Sequence, residues 1–152
     1  MKYLLAGYLM VTVCMGLKAQ KPYQILHFSS SHNCFPDTAR EHGPLDGDGN
    51  RLPGEGHYDD SSVLLVVPTG LRMEKTVDLV VWFHGWHNSI DTALRFYGLA
   101  RQLAASGRNA VLVLPEAAKN AADSYGGKMR QEGMFKWLIT DVLEELRRKK
   151  VC

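Results

Sequence analysis

The apolar segment Val77–Phe83 constrains the fold of this chain more than any other feature. Apart from Asp78 it is continuously hydrophobic, and it runs directly into His84-Gly85, after which apolar residues recur at helical spacing. A short, bounded apolar run of this kind is typical of a strand buried on both faces, as in a parallel sheet covered by helices. The segment therefore predicts a strand–turn–helix unit within an α/β sheet.

Further strands and helices are predicted around this unit. Apolar runs bounded by turn residues predict strands at residues 23–28, 62–67 and 109–114. Helical spacing predicts helices at residues 90–104 and 132–149, the first capped by Asn88 or Ser89 and ended by Gly107. Residues 29–60 are predicted to form a long loop or an irregular hairpin. The alternating order favours an α/β sheet of about four mostly parallel strands flanked by two main helices.

Residues 1–19 have the composition of a secretory signal peptide. Lys2 gives a positive start, the stretch from Tyr3 to Leu17 is apolar, and Ala19 is the kind of small residue found at cleavage sites. The apolar run is shorter than the roughly 20 residues of a comfortable membrane span. We expect cleavage after Ala19 and a secreted or periplasmic protein, with an uncleaved anchor as the alternative. Residues 20–61 would then hold the first strand and the loop, and residues 62–152 the core.

Charge and cysteine content limit the partners of the mature chain. Removal of Lys2 and Lys18 lowers the number of basic residues from 18 to 16, which equals the 16 acidic residues. No basic patch with interleaved aromatic residues occurs, so nucleic acid is not an expected partner, and no cofactor is indicated. Cys34 and Cys152 would remain. In an exported protein they could pair, although the sequence does not establish that they are close.

The segment His84-Gly85-Trp86, with the helix and strands around it, resembles the N-terminal half of an α/β-hydrolase, in particular secreted esterase- or lipase-like members. The resemblance covers roughly Ser62 to Lys150. It implies that the Trp86 backbone N–H is an oxyanion-hole donor, supported by His84 and by Gly85, whose missing side chain lets the backbone approach closely. It also implies cleavage of a small-molecule or polymer ester.

The sequence departs from the family at the nucleophile. In the family this serine lies in Gly-x-Ser-x-Gly on the strand after the last helix, followed by an Asp or Glu and then a His. That motif does not occur in this sequence. We therefore expect a truncated N-terminal part of a secreted serine hydrolase that ends before the nucleophile elbow and is inactive alone. A non-catalytic secreted ligand-binding protein is the alternative.

Three residues are candidates for contact with substrate, namely Trp86, His87 and Tyr125. Tyr125 lies with Gly126-Gly127 on a loop at the carboxyl end of a strand, the edge where open α/β sheets bind ligands. A plain connecting loop is the alternative reading of that segment. The loop at residues 37–57 either lines the same mouth or is a surface excursion.

Two patterns raise the question of a metal site. His57, His84 and His87 would be the ligands of a metal-dependent hydrolase. Packing at the strand end explains His84 as well, and solvent exposure explains His87. Nothing in the sequence fixes a third ligand beside these two. Residues 46–50 resemble the start of a calcium loop, yet its sixth position is Arg51 rather than Gly and its twelfth is His57 rather than Glu. The sequence therefore predicts no metal site.

The edge of the strand Val77–Phe83 predicts how the isolated chain behaves in solution. In α/β-hydrolases this third strand lies between the fourth strand and the fifth. Without a fifth strand its edge is unpaired, and its centre has no Lys, Pro or bulge that would discourage association. We expect the isolated chain to associate through this edge or to be poorly soluble.

Overall fold

A computed structural model describes residues 22–151, which form one mixed sheet with helices on both faces. The strands are β1 (Tyr23–Ser29), β2 (Ser62–Pro68), β3 (Asp78–Val81) and β4 (Ala110–Pro115). The α-helices are α1 (Ile90–Phe96), α2 (Leu99–Ser106) and α3 (Met134–Arg148). The helices of this part of the chain are all too short or too polar to traverse a bilayer. The predicted signal peptide and Cys152 lie outside the described residues.

The strand order is β1-β2-β4-β3, and the sheet is mostly antiparallel, so the prediction of mostly parallel strands was wrong. β1 pairs antiparallel with β2, β2 pairs antiparallel with β4, and only β3 pairs parallel with β4. A parallel pair needs a crossover connection, which is usually helical. Only the connection between β3 and β4 contains α-helices, namely α1 and α2. The fold is therefore an α/β sheet, but the connections from β1 to β2 and from β2 to β3 reverse the direction of the chain.

Two apolar layers lie on opposite faces of β2 and β4. Because alternate residues of a strand point to opposite faces, Val63 and Leu65 lie in one layer and Leu64 and Val66 in the other. α3 covers the first layer with the buried side chains Leu138, Val142 and Leu146. Ile90 of α1 and Ala100 of α2 lie in the second layer. The two central strands are therefore buried on both faces.

α1 and α2 occupy the region predicted as one helix. The Ser89 side chain accepts a hydrogen bond from the Thr92 N–H and caps α1, as the sequence indicated. Gly98 has a φ of 61° and separates the two helices, and Gly107 has a φ of 65° and ends α2. A left-handed backbone is accessible to glycine at little cost, so Gly98 can break the helix without a loop.

β3 differs from the prediction that it is buried on both faces. Asp78 and Val80 are exposed, and Leu79 and Val81 are only half-buried. The reason is its place at the edge of the sheet, where it has one neighbouring strand instead of two. Its apolar sequence reads like that of a central strand, but its environment is that of an edge.

The long segment between β1 and β2 is packed onto the protein. Cys34, Phe35 and Tyr58 are buried and form a third apolar cluster with Ala118 and Ala121, which follow β4. The two ends of this segment therefore form part of the wall around the carboxyl end of β4, whereas most of residues 41–56 are exposed. Cys34 has no disulfide partner within residues 22–151, and burial raises its pKa to about 11.

Candidate functional site

The carboxyl ends of β3 and β4 bring a histidine and a glutamate together. The strands are parallel neighbours, so His84, just after β3, meets Glu116, the first residue after β4. The distance from His84 Nε2 to Glu116 Oε1 is 2.5 Å, and each side chain is 1% exposed. His84 is a site residue predicted from the sequence, whereas Glu116 was not predicted. The available signal was a charged residue placed directly after a continuous apolar strand.

Glu116 also contacts the first turn of α1. The Ile90 backbone N–H lies 3.3 Å from each oxygen of the Glu116 carboxylate. The first N–H groups of a helix have no partner within the helix, and the helix dipole favours a negative charge there. One buried carboxylate thus joins β4, the segment after β3 and α1. The position of the loop between His84 and Ile90 follows from these contacts.

His84 uses both ring nitrogens. Nδ1 donates to the Gly85 carbonyl over 2.9 Å, and Nε2 faces Glu116. Burial lowers the pKa of His84, but the hydrogen bonds to Glu116 and to the Gly85 carbonyl, with the charge of Glu116, outweigh it, so the pKa is raised. The Ala117 N–H lies 3.2 Å from the same Nε2, which can accept a hydrogen bond only when the imidazole is neutral. The contact between Nε2 and Glu116 is shorter, at 2.5 Å, so the protonated imidazole paired with the Glu116 carboxylate is the favoured state.

A dependence of stability on pH follows from this pair. The pKa of His84 is higher in the folded state than its ordinary value of about 6.5, so its contribution is complete below about pH 6.5 and is lost as the pH rises through the folded-state pKa. We expect the free energy of unfolding, measured with urea, to fall over that window. Glu116→Gln should flatten the slope, whereas His42→Gln, at an exposed histidine, should leave it unchanged. An equal slope in Glu116→Gln would contradict the assignment.

A cavity of about 420 Å³ lies beside the buried pair. Its walls are predominantly apolar and come from three segments that meet at the carboxyl ends of the strands. The lining residues are Phe83, His84, Gly85, Trp86, Ala117, Ala118, Tyr125, Gly126 and Met129, with Cys34, Asp123 and Ser124. The structure therefore places four of the predicted site residues around one cavity: His84, Gly85, Trp86 and Tyr125.

Trp86 stands at the cavity and is 61% exposed. Its indole Nε1–H donates to the Ser124 hydroxyl over 2.8 Å, which connects the two loops that border the cavity. Among residues 22–151, no group accepts a hydrogen bond from the Trp86 backbone N–H. A Cβ added to Gly85 would meet no atom within 4 Å, so the glycine leaves open space on the cavity side. This backbone donor is therefore free to bind a ligand.

His87 lies outside the cavity. Its backbone has a φ of 50°, and its N–H donates to the Ala121 carbonyl over 2.9 Å. The Asn120 N–H donates to the Asn88 carbonyl over 2.7 Å in the same region. These bonds attach the turn after Trp86 to the loop after β4. His87 therefore contributes to the site only through its backbone, which holds the turn in place.

Tyr125 is held from behind the cavity by charged residues of the long loop. Its hydroxyl donates to Asp37 over 3.1 Å, and its ring lies 4.2 Å from the Arg40 guanidinium. Arg40 also donates to Asp123 over 2.7 Å. Burial raises the pKa of Asp123, but the hydrogen bond from Arg40 and two others outweigh it, so the pKa is lowered. The loop at residues 37–57 thus supports the cavity wall through its first residues.

The histidines considered as metal ligands are used separately. His57 Nδ1 bonds to the Lys119 carbonyl over 2.6 Å, and His84 is occupied by Glu116. The Asp46 carboxylate accepts N–H groups of Asp48 and Asn50, as in an ordinary turn. Within the described part of the chain, no three His, Cys, Asp or Glu side chains converge in the manner of a metal site.

A grouping of Ser, His and Asp joins the end of β1 to α3. The Ser30 hydroxyl donates to Asp141 over 2.5 Å, and His32 Nδ1 lies 2.9 Å from the same carboxylate oxygen. In a catalytic triad the histidine stands between the serine and the acid. Here the acid stands between the other two, so the serine proton is directed to a carboxylate and the imidazole does not activate the hydroxyl.

No protein-family model, curated protein or solved structure matches this chain. The residues around the cavity and the order of the strands are therefore the observations that bear on its function.

Proposed function

We propose that this chain is the N-terminal part of a secreted serine hydrolase-like protein of the α/β-hydrolase type. In this form it would bind an uncharged ester without cleaving it. The observation that carries the proposal is the free Trp86 backbone N–H at the apolar cavity, on the turn between β3 and α1. A fixed N–H donor in such a site is typically worth about 3–4 kcal/mol toward a developing oxyanion.

The order of the strands supports the proposed family. In α/β-hydrolases the third strand lies between the fourth and the fifth. Here β3 pairs with β4 and leaves its other edge open, which is the arrangement a fifth strand would complete. The sequence of β3, His-Gly, helix and β4 is also the one that the resemblance implies. The apolar N-terminal segment at residues 1–19 supports a secreted or periplasmic location.

The serines near the candidate site support binding without turnover. Ser124 borders the cavity, but its hydroxyl accepts the Trp86 indole N–H. Ser30 donates to Asp141, and among residues 22–151 no serine hydroxyl forms a hydrogen bond with a histidine ring. A serine without a neighbouring base is a weak nucleophile at neutral pH. The cavity can therefore accommodate an acyl group, but no serine beside it has a base to activate it, and burial raises the pKa of the Cys34 thiol to about 11.

A non-catalytic ligand-binding protein is the second candidate. The hydrogen bond between Trp86 and Ser124 favours it, because this bond spans the two loops at the cavity and shapes a binding site with no role in acyl transfer. The two candidates differ in what they require of the ligand. An oxyanion-type donor selects a carbonyl group, whereas a purely apolar pocket does not.

A pair of probes of nearly the same shape tests the proposal. Ethyl butanoate has a carbonyl group, and butyl ethyl ether lacks it. We expect the ester to bind about five- to tenfold more tightly, since one net hydrogen bond is worth about 1 kcal/mol. Tryptophan fluorescence reports the binding. Gly85→Leu should fill the open space and weaken the binding of both probes more than tenfold. Gly70→Leu, at a distant open turn, should leave the binding of both probes unchanged.

Two results would overturn the proposal. Equal affinity for the ester and the ether would support the simple binding protein. Hydrolysis of p-nitrophenyl butanoate that a serine-directed phosphonate abolishes would reveal an active nucleophile within the chain. Binding of the ester without hydrolysis, and its loss in Gly85→Leu alone, is the result that we expect.

A further inference from the structure

Among residues 22–151, one side of the β3 backbone has no hydrogen-bond partners. The Asp78 N–H donates to Asn109 over 3.0 Å, and the Trp82 N–H donates to Val113 over 2.9 Å. Alternate residues of a strand direct their backbone groups to the same side, so Val80 also faces β4. Leu79 and Val81 therefore direct their N–H and C=O groups away from β4, to the open edge of the sheet. An extended chain is the partner that supplies donors and acceptors at this spacing.

One face beside this edge is an apolar groove of about 340 Å³. Val80 lies in it and is 46% exposed. The groove continues over Trp82 to Leu99 and Leu103 of α2. A strand added at the edge would find apolar surface for the side chains that point to this face.

The opposite face is bordered by a flank of α3. Asp141 bonds to Ser30 at the end of β1, which fixes that side of the helix toward β1. At about 100° per residue, Phe135, Ile139 and Leu143 lie on the other side of α3, toward β3. Phe135 and Leu143 are exposed. This flank belongs to the apolar stripe that the sequence predicted, and two of its three residues are exposed.

The two helix layers lie mainly over β2 and β4, and Leu79, Val81 and Trp82 pack at their margins. α2 contacts β2 and β4, and the buried residues of α3 pack mainly on side chains of the same two strands. The backbone of a neighbouring strand lies only about 5 Å away in a sheet. Val80 is exposed and β3 has no neighbouring strand on its outer side within residues 22–151, so a further strand can pair there.

We propose that, in the chain as given, β3 pairs antiparallel with β3 of a second copy, so that one sheet continues across a two-fold axis. The inference rests on the proposed function in one respect, since the second copy takes the edge that a fifth strand would occupy in an intact hydrolase. The axis passes beside Val80, which faces Val80 of the second copy. Leu79 and Val81 then exchange backbone hydrogen bonds with Val81 and Leu79 of that copy. Asp78 lies opposite Trp82 of the other chain, so the two carboxylates do not meet. Such an interface is isologous, the commonest kind in protein dimers.

The second copy fits the edge because β3 has the properties that the edge requires. The occupant must be extended and apolar on both faces, and β3 offers Val80 on one face and Leu79 and Val81 on the other. The other open edge of the described sheet is β1, where Gln24 and His27 are exposed. Edge strands that avoid pairing usually have a central charge, a proline or a bulge, and β3 has none of these.

Sedimentation velocity on the full-length chain, over a wide range of concentration, tests this inference. We expect a monomer–dimer equilibrium in the unmodified chain. Val80→Lys should raise the dissociation constant of the dimer at least tenfold, because the two-fold axis would bring two ammonium groups together. Ile25→Lys is the matched control, since Ile25 is 38% exposed on the opposite edge strand, and it should leave the dimer intact. A monomer at every concentration, open-ended oligomers, or equal dissociation constants for the two variants would overturn the proposal.

Amide hydrogen exchange provides a readout that needs no variant. Within residues 22–151 of one chain the Leu79 and Val81 amides have no acceptor, so they should exchange fast in the monomer and slowly in the dimer. The Val80 amide, which faces β4, should be protected in both. Fast exchange of Leu79 and Val81 at high concentration would place any dimer contact elsewhere. Association and ester binding are measured separately, so either proposal can fail without the other.

Discussion

Replacement of Glu116 by alanine is expected to lower the free energy of unfolding by about 3–5 kcal/mol, since it leaves a buried charge without its partner. The carboxylate is 2.5 Å from His84 Nε2 and also receives the Ile90 N–H. Its loss removes the partner of the imidazolium and the acceptor at the first turn of α1. Deprotonation of His84 would relieve part of the cost but would leave a cavity between β4 and α1.

Two control variants separate charge from volume at this position. Glu116→Gln keeps the shape and can still accept the Ile90 N–H, so we expect a smaller loss of about 1–2 kcal/mol. Glu144→Ala, which removes an exposed carboxylate on α3, should change stability by less than about 0.5 kcal/mol. Urea unfolding monitored by circular dichroism measures all three. Equal, small losses for both Glu116 variants would show that the pair does not hold the strand ends together.

Replacement of Gly127 by alanine is expected to cost about 2–4 kcal/mol, because it combines backbone strain with a clash. Gly127 has a φ of 55°, and a Cβ there would lie 2.0 Å from the Cys34 carbonyl oxygen. The loop at residues 124–127 would have to move away from the segment after β1. Since both segments line the cavity, ester binding should weaken together with stability.

The neighbouring glycine is the matched control for this prediction. A Cβ at Gly126 would meet only the Arg130 side chain, at 3.6 Å, and its φ of −77° suits any residue. Gly126→Ala should therefore change the free energy of unfolding by less than about 0.5 kcal/mol. Thermal unfolding of both variants provides the comparison. If Gly127→Ala melted at the temperature of Gly126→Ala, the close approach to Cys34 would not be a feature of the folded protein.

The two positions secure the cavity from opposite sides. Glu116 fixes the turn that bears the Trp86 N–H, through His84 and α1. Gly127 allows the loop with Ser124 and Tyr125 to lie against Cys34. Neither residue need touch a ligand for its replacement to alter binding. A loss of ester binding in these variants must therefore be interpreted together with their measured stability.

Much of the local structure could be predicted from residue spacing. Apolar periodicity located the four strands and the helical regions, and Ser89 and Gly107 were recognised as helix boundaries. The break at Gly98 was missed, because one glycine inside a helical pattern does not reveal whether its backbone will be left-handed. His84, Gly85 and Trp86 were located from the strand end, and they do border one cavity.

The sequence by itself determined which segments are extended and which are helical, because propensity, capping and apolar spacing act over a few neighbouring residues. Only the tertiary structure decided the mostly antiparallel pairing, the exposure of β3 and the meeting of His84 with Glu116. Backbone hydrogen bonds between strands are made by groups that every residue has, so they do not mark their partners in the sequence. Two residues far apart in the chain become one buried ion pair only when β3 and β4 are adjacent.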